Sequence, residues 1–438
     1  MSGAVSKEFP GWRLHPVWYI IILAFIARLG WALVIPFNEG NDEYVHYQQV
    51  RFIYDALRLP VFGPEQDLFV CNYGIHYAAF PGLNYILSAL WMLIVPAAPE
   101  HQYIVARLTS VFCGTITVAV GWLVAGKLFP GRPAVTLGVP VFLAFLPGFV
   151  FISAYVNSDA YTAFTASLVL YALLMGTERC WDGKSSLLLG LAVGLVALGK
   201  YNGYAVIPVA ALFILWTMRQ NIRGILRIFF ISAITAFAVC GWWFVRSYYL
   251  YGDVLGSGDT GQAGEILGWT ERSLKAQGLD AWEAVVQTDW LSWLFKSFWG
   301  VFGHMNVLLP VVFYWLAAIF TVFMFYVLAR RFITQVLKGR QYSATIPGKT
   351  LFVYVLFIFL LLGLVVYACY NNDYQPQGRY LYPAIVPVSL FMVLGLDIFT
   401  RNWPQKFKNG FLLGTAAGLF LLCGIILLIY IGPIYYIR

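Results

Sequence analysis

About eleven runs of some 20 apolar residues, separated by short polar segments, leave this chain few folds to choose from. A spanning α-helix needs roughly 20 such residues, because each adds about 1.5 Å and the hydrocarbon layer is about 30 Å thick. The runs lie near 17–36, 104–128, 134–154, 158–176, 185–200, 204–218, 225–250, 307–329, 350–370, 381–399 and 409–431. A twelfth stretch, 78–95, has proline near both ends and follows a polar segment with no basic loop between, so it reads as an interfacial helix lying on the membrane. With no water in the bilayer core, every backbone polar group must be satisfied within the chain. The expected fold class is therefore an all-α polytopic membrane protein. Composition excludes a soluble body: of 438 residues 61% are hydrophobic and only 11% charged, against about a quarter charged in soluble proteins.

The net charge of +8 would point to nucleic acid in a soluble chain. Here the cations collect in alternate short loops, including Arg132, Arg179, Lys184, Arg219, Arg223, Arg330, Arg331, Arg401 and Lys408. That is the pattern of cytoplasmic segments, so no nucleic-acid partner is expected. With the N-terminus cytoplasmic, only Glu8, Glu178, Asp182 and Asp397 of the acids fall inside. No small-residue cleavage site follows the first apolar run, and no signal peptide is expected. Residues 1–438 read as a single transmembrane domain. It has a first outer loop, 37–103, with interfacial helices, and a second outer loop, 251–306, whose glycines and polar residues read as mobile. No soluble domain is expected after the last helix. The six cysteines are scattered without a CxxC pair, which excludes a zinc or disulfide framework. Only Cys71 and Cys369 are placed to meet an oxidising compartment.

Five outer segments carry residues able to do chemistry. In the first, PFNEGNDEYVHYQQVRFIYDALRLP, Asn41 reads as an N-cap, and Asp42 shares a helix face with His46 at i, i+4. A carboxylate at the membrane surface beside Glu43 and His46 can act as a general base, or the three can ligate a cation. The plainer reading is a capped, solvated amphipathic helix. In VNSDAYTAF, Asp159 falls in the first turn of a helix, as either a cap or a site residue. Lys200 follows an apolar run too short to reach the outer surface, so it faces a polar cavity or snorkels outward. Arg246 ends CGWWFVR, and Arg379 sits among Tyr374, Gln377, Tyr380 and Tyr382. Each arginine alone can be an interfacial anchor. Three cations at outer helix ends run against the positive-inside trend, so something is expected to pair with them.

Those segments in that order are where a resemblance appears. Its marks are Asp42-Glu43 with His46, Arg107-Leu108 and Asn157-Ser158-Asp159. They continue through Gly199-Lys200 and Trp243 to Arg246 leading to Tyr251-Gly252-Asp253, and end at Gln377-Gly378-Arg379-Tyr380 before Pro383. Over nearly its whole length the chain resembles the GT-C superfamily, membrane glycosyltransferases that use polyprenyl-phosphate sugars, and within it the protein O-mannosyltransferase and aminoarabinose-transferase branch. The resemblance implies an inverting enzyme of class EC 2.4 in a bacterial or archaeal cytoplasmic membrane, with its active site on the extracytoplasmic face. Its partners would be a polyprenyl-phosphate sugar donor, membrane lipid, and a hydroxyl acceptor on a glycan, lipid or protein. The family's acidic base maps to Asp42, with Glu43 beside it. The expected phosphate-binding cations are Lys200, Arg246 and Arg379, and His46, Asp159, Gln377 and Tyr380 are the expected substrate contacts. No cofactor is required, though the resemblance admits a divalent cation on Asp42, Glu43 and His46.

Two other readings fit the same chain: a transporter or flippase of lipid-linked saccharides, and an O-antigen polymerase or ligase. Transporters carry ionisable groups near the midplane and show internal repeats. Here Arg28 is the one charge placed well inside a span, and no repeat is visible.

Overall fold

The computed structural model describes residues 15–61, 77–256, 271, 273–286, 288–337 and 346–436. Cys71 and the stretch 257–270 of the second outer loop lie outside them. Each apolar run carries a helix. Helix α1 is Pro16–Val34, α2 Glu43–Ala56, α3 Leu83–Ile94, α4 Leu108–Leu128 and α5 Pro133–Phe145. Helices α6 Asp159–Glu178, α7 Gly183–Ala197, α8 Val206–Thr217 and α9 Ile222–Tyr251 follow. After the second outer loop come α10 Trp290–Gly300, α11 Val311–Leu337, α12 Ile346–Asn371, α13 Ile385–Phe399 and α14 Gln405–Ile425. Among the described residues eight helices are long and apolar enough to cross a membrane, while those at 133–145, 183–197 and 201–217 are shorter. The stretch read as interfacial is α3, of 12 residues.

The amphipathic α2 packs on α3, burying Val50 against Tyr85, Ala89 and Met92 and leaving Asp55 and Leu57 exposed. Helix α4 lies at the centre, packed on α1, α5 and α6. Helix α11 is peripheral, with Val311, Trp315 and Val322 exposed, as a lipid-facing helix should be. Helix α7 fits tightly against α9, since a Cβ on Gly190 would stand 2.6 Å from the Ser232 carbonyl and one on Gly194 3.0 Å from the Ala236 carbonyl. Small residues at i and i+4 let two membrane helices approach this closely.

The run read as 134–154 is broken before Pro147, where the short helix Pro147–Ile152 begins. Pro147 has no N–H for the Leu143 carbonyl. The fully buried Arg28 supplies the missing donors, through Nη2 to the Leu143 carbonyl at 2.9 Å and Nη1 to that of Ala144 at 3.0 Å. The one charge placed inside a span thus caps a helix C-terminus, where a cation is favoured.

Of the second outer loop, residues 273–286 and 288–306 fold into the helix Ala281–Val286, α10 and a small antiparallel hairpin, Val301–Phe302 with Val307–Leu308. Trp290, Leu294, Phe298 and Trp299 of α10 are buried, and α10 packs on 147–152 and on the turn before α13.

Candidate active site

Four chain segments meet at one end of the bundle: the α1–α2 connection, the start of α6, the residue after α7 and the turn before α13. Each is fixed by local chemistry. Glu43, in the first turn of α2, is fully buried and makes a two-pronged ion pair with Arg107, both N–O distances being 2.7 Å. Its oxygens also accept from the backbone N–H of Asn38 at 3.0 Å and of Val156 at 3.2 Å. Arg107 in turn donates to the carbonyls of Ala32, Ile35 and Pro36 at the end of α1. This pair ties α1, α2 and α4 together, and it leaves the Glu43 carboxylate no free face.

Asn41 is not the cap of α2. That position is Asp42, held left-handed at φ 62° with its side chain free of capping duty. The Asp42 carboxylate instead meets the Arg379 guanidinium, with Oδ2 2.9 Å from Nη2. Asp159 is likewise released from capping, because the Asn157 side chain accepts from the N–H groups of Asp159 and Ala160 at 2.8 and 3.1 Å. Its carboxylate reaches Lys200 Nζ at 2.8 Å and lies 3.6 Å from Arg379 Nη1. The result is an alternating row, Asp42, Arg379, Asp159, Lys200, of two acids and two cations.

The cations are placed by packing. Helix α7 has 15 residues, about 22 Å of rise. Lys200 follows it and lines the polar cavity, with its ammonium 4.7 Å above the centre of the Tyr380 ring. Arg379 sits in the 3-10 turn Gly378–Ala384, whose neighbour Gly378 touches α10 so closely that a Cβ would stand 2.2 Å from the Phe298 nitrogen. The Gly378 N–H donates to Ser297 Oγ at 2.7 Å, and the Tyr382 hydroxyl donates to the Phe298 carbonyl at 2.9 Å. The buried part of the second outer loop thus buttresses the arginine.

The row opens on a cavity of about 430 Å³. Its polar end holds Asp42, His46, Ser158, Lys200, Asn202 and Arg379. The opposite wall is one face of α12, with Leu361, Leu364, Val365, Ala368 and Cys369 at helical spacing. Asp42 is 30% exposed, whereas Asp159 is 2% and Glu43 0%. Burial pushes the Asp42 carboxyl upward, but the adjacent Arg379 charge outweighs it and holds the group below the ordinary carboxylate range. Burial pushes the His46 imidazole down to about 4, so the ring is neutral at pH 7. His46 Nδ1 lies 2.6 Å from the Tyr85 hydroxyl.

Several expectations need correcting. The orienting partner of Asp42 is Arg379, not His46, which is spoken for by Tyr85. Glu43 is turned into the protein interior, so Asp42, Glu43 and His46 do not form a ligand set; among the described residues no three His, Cys, Asp or Glu side chains are gathered to hold a metal. Arg246 does not line the cavity. It donates to the Pro60 carbonyl at 2.6 Å and stacks on Trp243, tying the first outer loop to α9. Gln377 also lies off the cavity and accepts from Asn41 at 3.4 Å. Tyr380 lines it, with its hydroxyl on Gln375 at 2.7 Å. The sequence reading missed Tyr85, Tyr155, Asn202 and the α12 face. Tyr155 is fully buried against Gly40, next to Asn41 and Asp42, where a Cβ would stand 2.3 Å from its ring.

The resemblance read from the sequence is met by one family model and by solved membrane-enzyme structures that share this helical fold. Residues 81–244 match the family model described as dolichyl-phosphate-mannose-protein mannosyltransferase. The apo oligosaccharyltransferase of Archaeoglobus fulgidus aligns with a TM-score of 0.58 at 13% identity, over 94% of this chain and 55% of that one. The same enzyme in complex with Zn and sulfate aligns at 0.57, with 16% identity over 92% of this chain and 52% of that one. ArnT from Cupriavidus metallidurans bound to undecaprenyl phosphate aligns at 0.58, with 13% identity over 95% of this chain and 73% of that one. The chain spans about half the length of the oligosaccharyltransferases. At these identities the likeness is one of fold. No curated protein matches by sequence.

Proposed function

We propose that the protein transfers a sugar from a polyprenyl-phosphate donor to a hydroxyl acceptor on the outer face of the membrane, with inversion, and that Asp42 is the general base. The observation that carries this reading is the make-up of the cavity: an acid–cation row at one end and an apolar helix face at the other. Such a cavity suits an amphiphile whose charged head lies at the interface and whose tail runs along α12. The solved likeness of ArnT bound to undecaprenyl phosphate supports a donor of that kind, and the mannosyltransferase match over 81–244 supports a lipid-phosphate sugar.

The acceptor hydroxyl attacks the anomeric carbon from the side opposite the phosphate. The carbon–oxygen bond to phosphate breaks, its electron pair stays on the phosphate oxygen, and the hydroxyl proton passes to Asp42. Asp42 has the access a base needs, while Asp159 and Glu43 are buried. Arg379 aims Asp42, and its charge keeps the carboxylate ionised. Lys200 is 29% exposed and is the cation best able to exchange its Asp159 contact for a phosphate oxygen. Charge-assisted contacts to the leaving phosphate lower the barrier most when they are already in place. Asp42 and Asp159 are matched by Arg379 and Lys200, and Glu43 by Arg107, while Asp373 on the cavity wall accepts from the neutral Gln375 amide at 2.7 Å. The reaction as written needs no cofactor.

The test is transfer of radiolabelled sugar from synthetic polyprenyl-phosphate sugars, offered one sugar at a time to purified protein in nanodiscs. Asp42→Asn keeps size and polarity but cannot take a proton, and the expected loss is about 10²–10⁴-fold in rate with donor binding retained. Transfer by the variant within about threefold of the parent, far short of that range, would reject Asp42 as base.

A further inference from the structure

A second cavity, of about 470 Å³, lies at the far end of the bundle. The turn and helix 378–399 carry Arg379 at one end and Asp397 at the other, so the two cavities are separated by about 27 Å of helix, roughly the thickness of the hydrocarbon layer. The second cavity is built where the start of α5, the ends of α11 and α13, and the start of α14 converge. Its lining includes Arg132, Arg331, Arg401 and Lys408 with a single carboxylate, Asp397. That is an excess of three positive charges. Arg132 is paired with Asp397, whereas among the described residues no carboxylate pairs with Arg331, Arg401 or Lys408. Gln335 can hold Arg331 in place, because with its amide oxygen turned inward it accepts from Nε at 3.1 Å and Nη2 at 2.9 Å. The remaining guanidinium donors are left for another acceptor. Beside this cluster Phe399, Trp403, Phe407 and Phe411 expose large apolar surface, and the Phe399–Trp403–Phe411 rings touch edge to face.

Like cations repel, and an excess of three positive charges over the single Asp397 carboxylate on one concave site favours an anion that shares it. We propose that this cavity is a phosphate site on the membrane face opposite the active site, taking the headgroup phosphate of an anionic phospholipid whose chains lie along the aromatic face of 399–411. Basic hollows between membrane helices at headgroup level have this use, and monoanionic phosphate meets arginine pairs at charge-assisted distance. The site does not depend on the glycosyltransfer reading, since none of its residues touches the first cavity. A soluble phosphate compound offers the same oxygens without the chains, so the test must separate the two sources.

Native mass spectrometry of the purified protein in detergent would be titrated with phosphatidylglycerol, with phosphatidylcholine and, separately, with inorganic phosphate. Retention of phosphatidylglycerol over phosphatidylcholine is expected. It should fall at least about tenfold in Arg331→Gln/Arg401→Gln/Lys408→Gln, since a single lost charge-assisted contact is already worth about that factor. Asp397→Asn, which removes the one acid and frees Arg132, should shift retention the opposite way and guards against a triple variant that fails to fold. Inorganic phosphate that binds, and is lost in the same triple variant while the lipid shows no preference, would assign the site to a soluble phosphate. Equal retention of both lipids with no phosphate bound would overturn the proposal. So would a parent-like lipid preference in both a folded triple variant and Asp397→Asn.

Discussion

Glu43 and Asp42 are neighbours in sequence, and the structure predicts opposite consequences for neutralising them. In Glu43→Gln one carboxylate oxygen becomes an NH₂. On either side that group meets two donors: Arg107 Nε with the Val156 N–H, or Arg107 Nη2 with the Asn38 N–H. Two hydrogen bonds are lost, a donor is set against donors, and the fully buried Arg107 charge keeps only carbonyl partners. Breaking a buried ion pair from one side costs about 3–5 kcal/mol. Asp42→Asn loses one Arg379 contact at a position open to the cavity, and Arg379 keeps Asp159 at 3.6 Å, so less is lost than at the sealed Glu43. The assay is reversible unfolding of each variant in mixed dodecylmaltoside and SDS micelles, followed by tryptophan fluorescence. Glu43→Gln should lose several kcal/mol and Asp42→Asn clearly less. Removing Arg107 as well should not restore the parent, because the Ala32, Ile35 and Pro36 carbonyls and the Asn38 and Val156 N–H groups then lose their partners. A Glu43→Gln variant as stable as the parent would refute the structural assignment of Glu43 and return it to the list of candidate bases.

Three further outcomes follow from the site. Asp42 is held below the ordinary carboxylate range, about 3.9 in a free aspartate, so the acid limb of the transfer rate should lie below pH 4; a limb near 6 would contradict the Arg379 pairing. His46, pushed down to about 4 from an ordinary value near 6.5, makes the unfolded chain bind a proton the folded one refuses, so stability should fall as pH drops from about 6.5 to about 4. His46→Gln should flatten that slope in unfolding measurements, and an unchanged slope would discard the buried neutral imidazole. Lys200→Ala should weaken binding of a non-hydrolysable lipid-phosphate sugar analogue by about 1.5–3 kcal/mol in equilibrium binding, and parental affinity would remove Lys200 from the phosphate site. Single cysteines introduced as Leu57→Cys and Gln405→Cys should be labelled by an impermeant maleimide only from outside and only from inside, respectively; the reverse pattern would invert the orientation.

What the sequence determined is what depends on neighbours along the chain. Apolar runs of spanning length, and the cost of bare backbone in lipid, are enough to place the helices of this bundle, and the short 185–200 run already implied a lysine beneath the surface. Asp42, Asp159, Lys200 and Arg379 were legible as charges at outer helix ends, where an uncompensated charge is expensive. Their pairing was not legible, because Asp42 and Arg379 stand 337 positions apart and no local pattern couples them. Along the chain Asp42 and Glu43 have the same chemistry and nearly the same place. Only the tertiary structure decided that Glu43 is sealed against Arg107 while Asp42 looks into the cavity, and that Arg246 holds a loop instead of a ligand. Direction along the chain is set by local periodicity, but which of two adjacent carboxylates stays solvated is set by what the remaining helices bury.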